Sequence, residues 1–64
     1  MDKFDQELLR ILSRDSAISN ALIGERIGLS ASQVSRRRVR LENDGIITGY
    51  RADLNYKALD RSLN

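Results

Sequence analysis

Along the first 14 residues the apolar positions recur at helical spacing. Phe4, Leu8, Ile11 and Leu12 fall at i, i+4, i+7 and i+8, and Leu9 broadens the stripe, which predicts an amphipathic helix over about residues 3–14. Asp2 stands where an N-cap is wanted. Asp5 and Glu7 lie toward the positive end of the helix dipole, Arg10 and Arg14 toward the negative end. Asp15-Ser16-Ala17 then reads as a loop. Ser19 is a second capping residue, and Ile18 just before it is placed to staple onto Ile23. Leu22, Ile23 and Ile27 give the second helix its apolar face, and Gly28 supplies the left-handed residue that ends it. Gly24, inside that helix, costs about 1 kcal/mol relative to Ala, which predicts another helix passing close to its backbone. Ser30-Ala31-Ser32-Gln33 is a capping box, with Ser at the N-cap and Gln at N3. It opens a third helix that continues through Val34, Val39 and Leu41 to Asn43-Asp44, with Gly45 as its C′ residue.

After Gly45 the period changes. Ile46, Thr48, Tyr50, Ala52 and Leu54 alternate with Ile47, Gly49, Arg51 and Asp53, which is strand spacing and predicts a strand over about residues 46–54. Residues 56–64 read as a helical turn or an extended tail. The fold class expected is mainly α: a three-helix, winged-helix-type helix-turn-helix domain with a C-terminal β-strand, filling residues 1–64 as a single domain.

Composition removes several function classes. The chain has 64 residues with no Cys, no His and no Pro. A disulfide framework, a zinc finger, a Cys or Ser–His nucleophile and haem ligation by His are all excluded, and neither metal nor cofactor is expected. Aromatics at 5% do not supply a base-stacking platform. No apolar run approaches the roughly 18 residues that span a bilayer. Met1-Asp2-Lys3-Phe4-Asp5 mixes charges without an apolar core and does not read as a signal peptide. A cytoplasmic protein with no membrane contact is expected.

The net charge of +2 conceals an uneven distribution. Residues 26–41 hold Arg26, Arg36, Arg37, Arg38 and Arg40 and no acidic residue, a local +5, while the remainder carries −3. A solvated helix face normally mixes signs at i, i+4. All five cations are Arg, whose planar fork suits phosphate and guanine.

The second helix, a turn at Gly28-Leu29-Ser30 and the third helix form a helix-turn-helix pattern. In that motif the second helix enters the major groove with its N-terminal residues at the base edges. At about 100° per residue, Val34, Leu41 and Ala31 share the core side, while Ser32, Gln33, Arg36, Arg40 and Asn43 share the outward side. By depth, Ser32, Gln33 and Arg36 are assigned to base edges, and Arg37 on the flank to a base or a phosphate. Arg40 and Arg38 are assigned to phosphates, with Arg38 snorkelling along the core edge. Ser19 and Ser30 are capping residues whose helix N-termini expose N–H groups to phosphate.

Taken together, Asp2-Lys3-Phe4-Asp5, Leu8-Leu9-Arg10-Ile11-Leu12, Ile18-Ser19-Asn20, Ile27-Gly28-Leu29-Ser30, Arg40-Leu41-Glu42, Gly45-Ile46-Ile47, Gly49-Tyr50 and Leu54-Asn55 resemble the N-terminal domain of the Lrp/AsnC family, the leucine-responsive and feast/famine transcription regulators. The resemblance implies a helix-turn-helix at about residues 20–39, a recognition helix at 31–44 and a hinge strand at 46–54. It implies pairing through helix 1 and the hinge strand, with Phe4, Tyr50 and Leu54 as the dimerisation residues. In the family the hinge leads to an αβ domain that binds amino acids and assembles octamers. That domain is not among these 64 residues, so no amino-acid effector is expected here. Three positions depart from the family pattern: Leu22 where an acid is common, Gly24 for Ala, and Arg38 for an apolar residue. The last, with Val39 beside it, predicts a slight rotation of the helix that brings Val39 inward.

The expected function is sequence-specific binding of double-stranded DNA by a homodimeric transcription regulator. If about four Arg contact phosphates, log K falls with log salt at a slope near −3.6. The alternative is a winged-helix protein-interaction module whose Arg face meets an acidic partner. Catalysis is not expected, because Asp2, Asp5 and Glu7 read as helix-dipole charges and not as a paired acid and base.

Overall fold

Leu8 and Leu12 of α1 (Lys3–Arg14), Ile23 of α2 (Asn20–Ile27), and Val34 and Leu41 of α3 (Ala31–Asn43) close one core together with Ile18. The structure is a computed structural model and describes residues 1–63, with side chains described to residue 59. Leu8, Ile23 and Val34 are fully inaccessible, and each such side chain contributes about 1.5–3 kcal/mol. Leu9, Ile11, Ile27, Leu29 and Ile47 pack around this centre.

The helix boundaries follow from local chemistry. Asp2 caps α1 by accepting from the Asp5 N–H at 2.8 Å. Ser19 caps α2 by accepting from the Leu22 N–H, and Ile18 and Ile23 are both buried, as a staple requires. Gly28 closes α2 at φ 80°, with its N–H and that of Leu29 both donating to the Gly24 carbonyl. Gly24 does approach a neighbouring backbone, but the neighbour is the Leu29 carbonyl of the turn and not another helix. At the end of α3, the Ile46 N–H donates to the Leu41 carbonyl and the Gly45 N–H to that of Glu42, around Gly45 at φ 74°. This pairing is a Schellman motif.

Three further expectations are corrected. Residues 46–55 carry no strand among the described residues. They run as irregular chain, held by Ile47 against the core and by the Ser16 hydroxyl donating to the Arg51 carbonyl at 2.8 Å. An alternating segment without a neighbour has no ladder to join, so a strand, and with it a wing, is not formed. Val39 is 51% exposed, so α3 is not rotated to bury it. Val34 and Leu41, seven residues apart, already fill the inward face. Leu22, expected on the apolar face of α2, is 49% exposed. The tail resolves as a fourth helix, α4 (Tyr56–Leu63), where Asn55 Oδ1 accepts from the Ala58 N–H.

Candidate nucleic-acid interface

The α2–turn–α3 unit presents one long helix whose inward face is apolar and whose outward face is polar. Ser32, Gln33 and Arg36 are all exposed on α3. The capping box forms in full. Ser30 Oγ accepts from the Gln33 N–H at 3.2 Å, and Gln33 Oε1 accepts from the Ser30 N–H at 2.9 Å. The Ser32 hydroxyl lies 3.2 Å from that of Ser30. Ser19 and Ser30 both act as N-caps, and each is exposed at the end of its helix.

The five guanidiniums divide into two groups. Arg26 and Arg36 are exposed and make no hydrogen bond or ion pair among the described residues. The other three are engaged within the molecule. Arg37, expected at a base edge, is turned toward α1. Its Nη1 donates to Asp2 Oδ1 and Oδ2 at 2.9 and 2.8 Å and to Asp5 Oδ1 at 3.0 Å, and its guanidinium lies 5.2 Å from the Phe4 ring centroid. Arg40 Nη2 donates to both oxygens of Asp5, yet its side chain remains 56% exposed. Arg38 follows the core edge, as a snorkelling side chain does, and ends on protein groups. Nη1 donates to Asn20 Oδ1 at 2.7 Å, Nε to Tyr50 Oη at 3.3 Å, and the guanidinium lies 4.9 Å from the Tyr50 ring centroid.

Two carboxylates therefore stand against a helix expected to face none, because α1 delivers them from outside the basic segment. Asp5 is 3% exposed. A buried carboxylate is tolerated when it is paired and hydrogen-bonded, and Arg37 and Arg40 supply both conditions. The sequence carried a signal for this. Asp5 lies three residues before Leu8 and seven before Leu12, on the buried stripe and not on the solvent face. An acid on a core stripe requires a cation opposite it. The hydrogen bond from Arg37, with a second from the Asp5 N–H, holds the Asp2 carboxyl below its usual 3.8, and the bonds of Arg37 to the Asp2 and Asp5 carboxylates raise it above the usual guanidinium value.

The residues expected at a dimer contact lie apart in role. Phe4 is 37% exposed and carries Arg37 on its ring. Tyr50 is 41% exposed, carries Arg38, and donates its hydroxyl proton to Glu42 Oε2 at 2.6 Å. Burial, and after it the bond to Glu42, raises the Tyr50 phenol above 10. Leu54 is 51% exposed on the segment between α3 and α4. Asn20 and Glu42, absent from the expected site, tie this segment and α2 to α3.

Comparison with known proteins fits this geometry. An AsnC-type helix-turn-helix domain matches residues 1–42, the span that holds α1, α2 and nearly all of α3. The leucine-responsive regulatory protein of Rhizobium meliloti is 44% identical over 63 residues, covering 98% of this chain and 40% of that protein. An AsnC family transcriptional regulator from Agrobacterium tumefaciens superposes with a TM-score of 0.83 at 36% identity, over 92% of this chain and 39% of that one. A transcriptional regulator from Neisseria meningitidis, solved in complex with L-Met, superposes with a TM-score of 0.85 at 34% identity, over 92% and 38%. The chain spans about two fifths of the length of these relatives. With the capped helix pair and its turn inside the matched residues, the chain belongs to the Lrp/AsnC family of transcription regulators and carries its AsnC-type helix-turn-helix domain.

Proposed function

We propose that this domain binds double-stranded DNA sequence-specifically, with α3 in the major groove, as part of a cytoplasmic transcription regulator that acts by binding and not by catalysis. One observation carries the reading. Arg36 projects, exposed and unpaired, from the outward face of a helix whose opposite face buries Val34 and Leu41. Ser32 and Gln33 lie one turn before it, at the end of the helix that reaches base edges in this motif. Arg36 is the base reader best matched to guanine, through a bidentate contact to O6 and N7. Arg26 and the exposed part of Arg40 serve phosphates, with the helix N-termini at Ser19 and Ser30 beside them.

Arg37 is assigned a different role from the one its sequence position suggested. Reaching a base would require it to leave two carboxylates, so it docks α1 onto α3 instead. Arg38 likewise anchors α2 and Tyr50, and reaches phosphate only by giving up Asn20. Fewer free cations imply a shallower salt response than the Arg count alone suggests. With Arg26 on a phosphate and Arg40 only partly available, the slope of log K against log salt lies between about −0.9 and −1.8 per module. A single module of this size binds weakly. A homodimer reading two half-sites about 34 Å apart is proposed, with Phe4, Tyr50 and Leu54 retained as candidate pairing residues. No amino-acid effector is assigned to these 64 residues.

Fluorescence anisotropy with duplex DNA across a salt series tests the reading, comparing the natural sequence with the Arg36→Ala/Arg40→Ala pair. Salt-dependent binding that the double variant weakens is the expected result. A flat salt response, or equal affinity in the double variant, overturns it.

A further inference from the structure

The capping box does more than start α3. The Ser30 N–H is a donor, so the Gln33 atom 2.9 Å from it is the carbonyl oxygen Oε1, and the orientation of the side-chain amide is set by chemistry. The same residue returns the contact through its own N–H to Ser30 Oγ at 3.2 Å, which holds the amide against the first turn. Gln33 is exposed, and its Nε2 makes no hydrogen bond among the described residues. Two N–H donors are therefore left without a partner among the described residues, while the acceptor is turned back onto the protein backbone.

We infer that Gln33 reads a base as a donor only, and that it selects guanine over adenine at the position it meets. This inference rests on the DNA-binding reading above. A free glutamine matches adenine by using both ends of its amide, accepting from N6 and donating to N7. Oε1 keeps a second lone pair, but its bond to the Ser30 N–H holds that atom at the helix start, so the donating half is the one left to meet a base. Guanine offers two acceptors, O6 and N7, to such a group, whereas adenine places the N6 amino donor beside its single N7 acceptor. Capping and specificity are thus coupled in one side chain. The cap fixes which half of the amide is available to the base.

The two roles separate in Gln33→Glu. A carboxylate still accepts from the Ser30 N–H, so the helix start is kept, but the Nε2 donors are lost. Selection of bound duplexes from a random pool with the 64-residue chain, the Gln33→Glu variant and Gln33→Ala, alongside thermal unfolding of each, gives the readout. The expected motif for the natural sequence has a guanine-preferring position that disappears in both variants. Replacing that guanine by 7-deazaguanine is expected to weaken binding of the natural sequence, and the preference over adenine is expected to be about 5- to 150-fold. Gln33→Glu is expected to unfold at the same temperature as the natural sequence, and Gln33→Ala at a lower one. A motif that keeps its preferences in Gln33→Glu, or an adenine there whose N6 amino group is needed, overturns the inference and leaves DNA binding standing. A natural sequence that enriches no motif at all overturns the proposed sequence-specific function, and the Gln33 assignment with it.

Discussion

Both carboxylate oxygens of Asp5 accept from one nitrogen of Arg40, at 3.1 and 2.9 Å, across 35 residues of sequence. Asp5 Oδ1 also accepts from Arg37. A buried acid on α1 thus holds two cations of α3, linking the packing of the domain to the charge that helix presents.

Asp5→Asn separates these two effects because it keeps the shape and removes the charge. Losing charge-assisted hydrogen bonds at a buried site costs roughly 1–3 kcal/mol, and each kcal/mol lowers the unfolding temperature of a domain this size by about 4–8 °C. The same change releases Arg40 and Arg37 from their buried counter-ion. Each guanidinium that then reaches a phosphate steepens the salt slope by about 0.9. A variant that is less stable and yet more salt-sensitive in DNA binding is expected, from calorimetry and an anisotropy series on the same sample.

Asp2 makes the stability of the domain depend on acid. Its carboxyl is held below 3.8, first by the hydrogen bond from Arg37 and then by that from the Asp5 N–H. A lowered folded value means that the ionised form is favoured by folding. The stabilisation is present above the unfolded value of about 3.9 and is lost as pH falls through the lower folded value. Asp2→Asn is the suitable control, since Asn also caps helices. Thermal unfolding across pH is expected to show the natural sequence above the variant at neutral pH, with the gap closing below about pH 4.

The helices were legible in the sequence because their boundaries are local. Asp2, Ser19 and the Ser30–Gln33 pair each act within three residues of where they stand, and α1 begins and ends where its stripe and caps place it. The segment after Gly45 was misread for a physical reason. Alternation at Ile46, Tyr50 and Leu54 is compatible with a strand, but strand formation depends on a neighbour that local pattern does not reveal, and all three side chains remain exposed. The exposure of Ser32, Gln33 and Arg36 on α3 was legible, because only the helix wheel matters there. Arg37 and Arg40 were not, since their partners lie 32 to 35 residues away on another helix.

Tyr50 fastens the segment after Gly45 to α3 by donating to Glu42 while accepting from Arg38. Tyr50→Phe keeps the ring under Arg38 and removes both hydrogen bonds, for a loss of roughly 0.5–1.5 kcal/mol. The phenol of Tyr50 is raised above 10, by burial first and by Glu42 second. The protonated form is favoured by folding, so this contribution is kept at neutral pH and lost as pH rises through the folded value. An absorbance titration of the tyrosines is expected to contain a component above pH 10 that Tyr50→Phe lacks. Faster amide exchange along residues 46–52 in that variant is the second expected sign.

Arg36 and Arg37 are neighbours in sequence with opposite assignments, and their alanine variants test the division. Arg36 touches no partner among the described residues, so removing it is expected to leave stability within about 0.5 kcal/mol. DNA affinity is expected to fall by about 1–3 kcal/mol, with relaxed preference at one base position. Arg37 pairs with Asp2 and Asp5 and covers Phe4. Its removal leaves the buried Asp5 carboxylate with Arg40 alone, so the unfolding temperature is expected to drop, with base preference unchanged in the folded fraction. The reverse pattern, a destabilised Arg36→Ala beside a stable Arg37→Ala with altered base preference, would place the reading residue on the flank of α3 and turn the helix in the groove by about 100°.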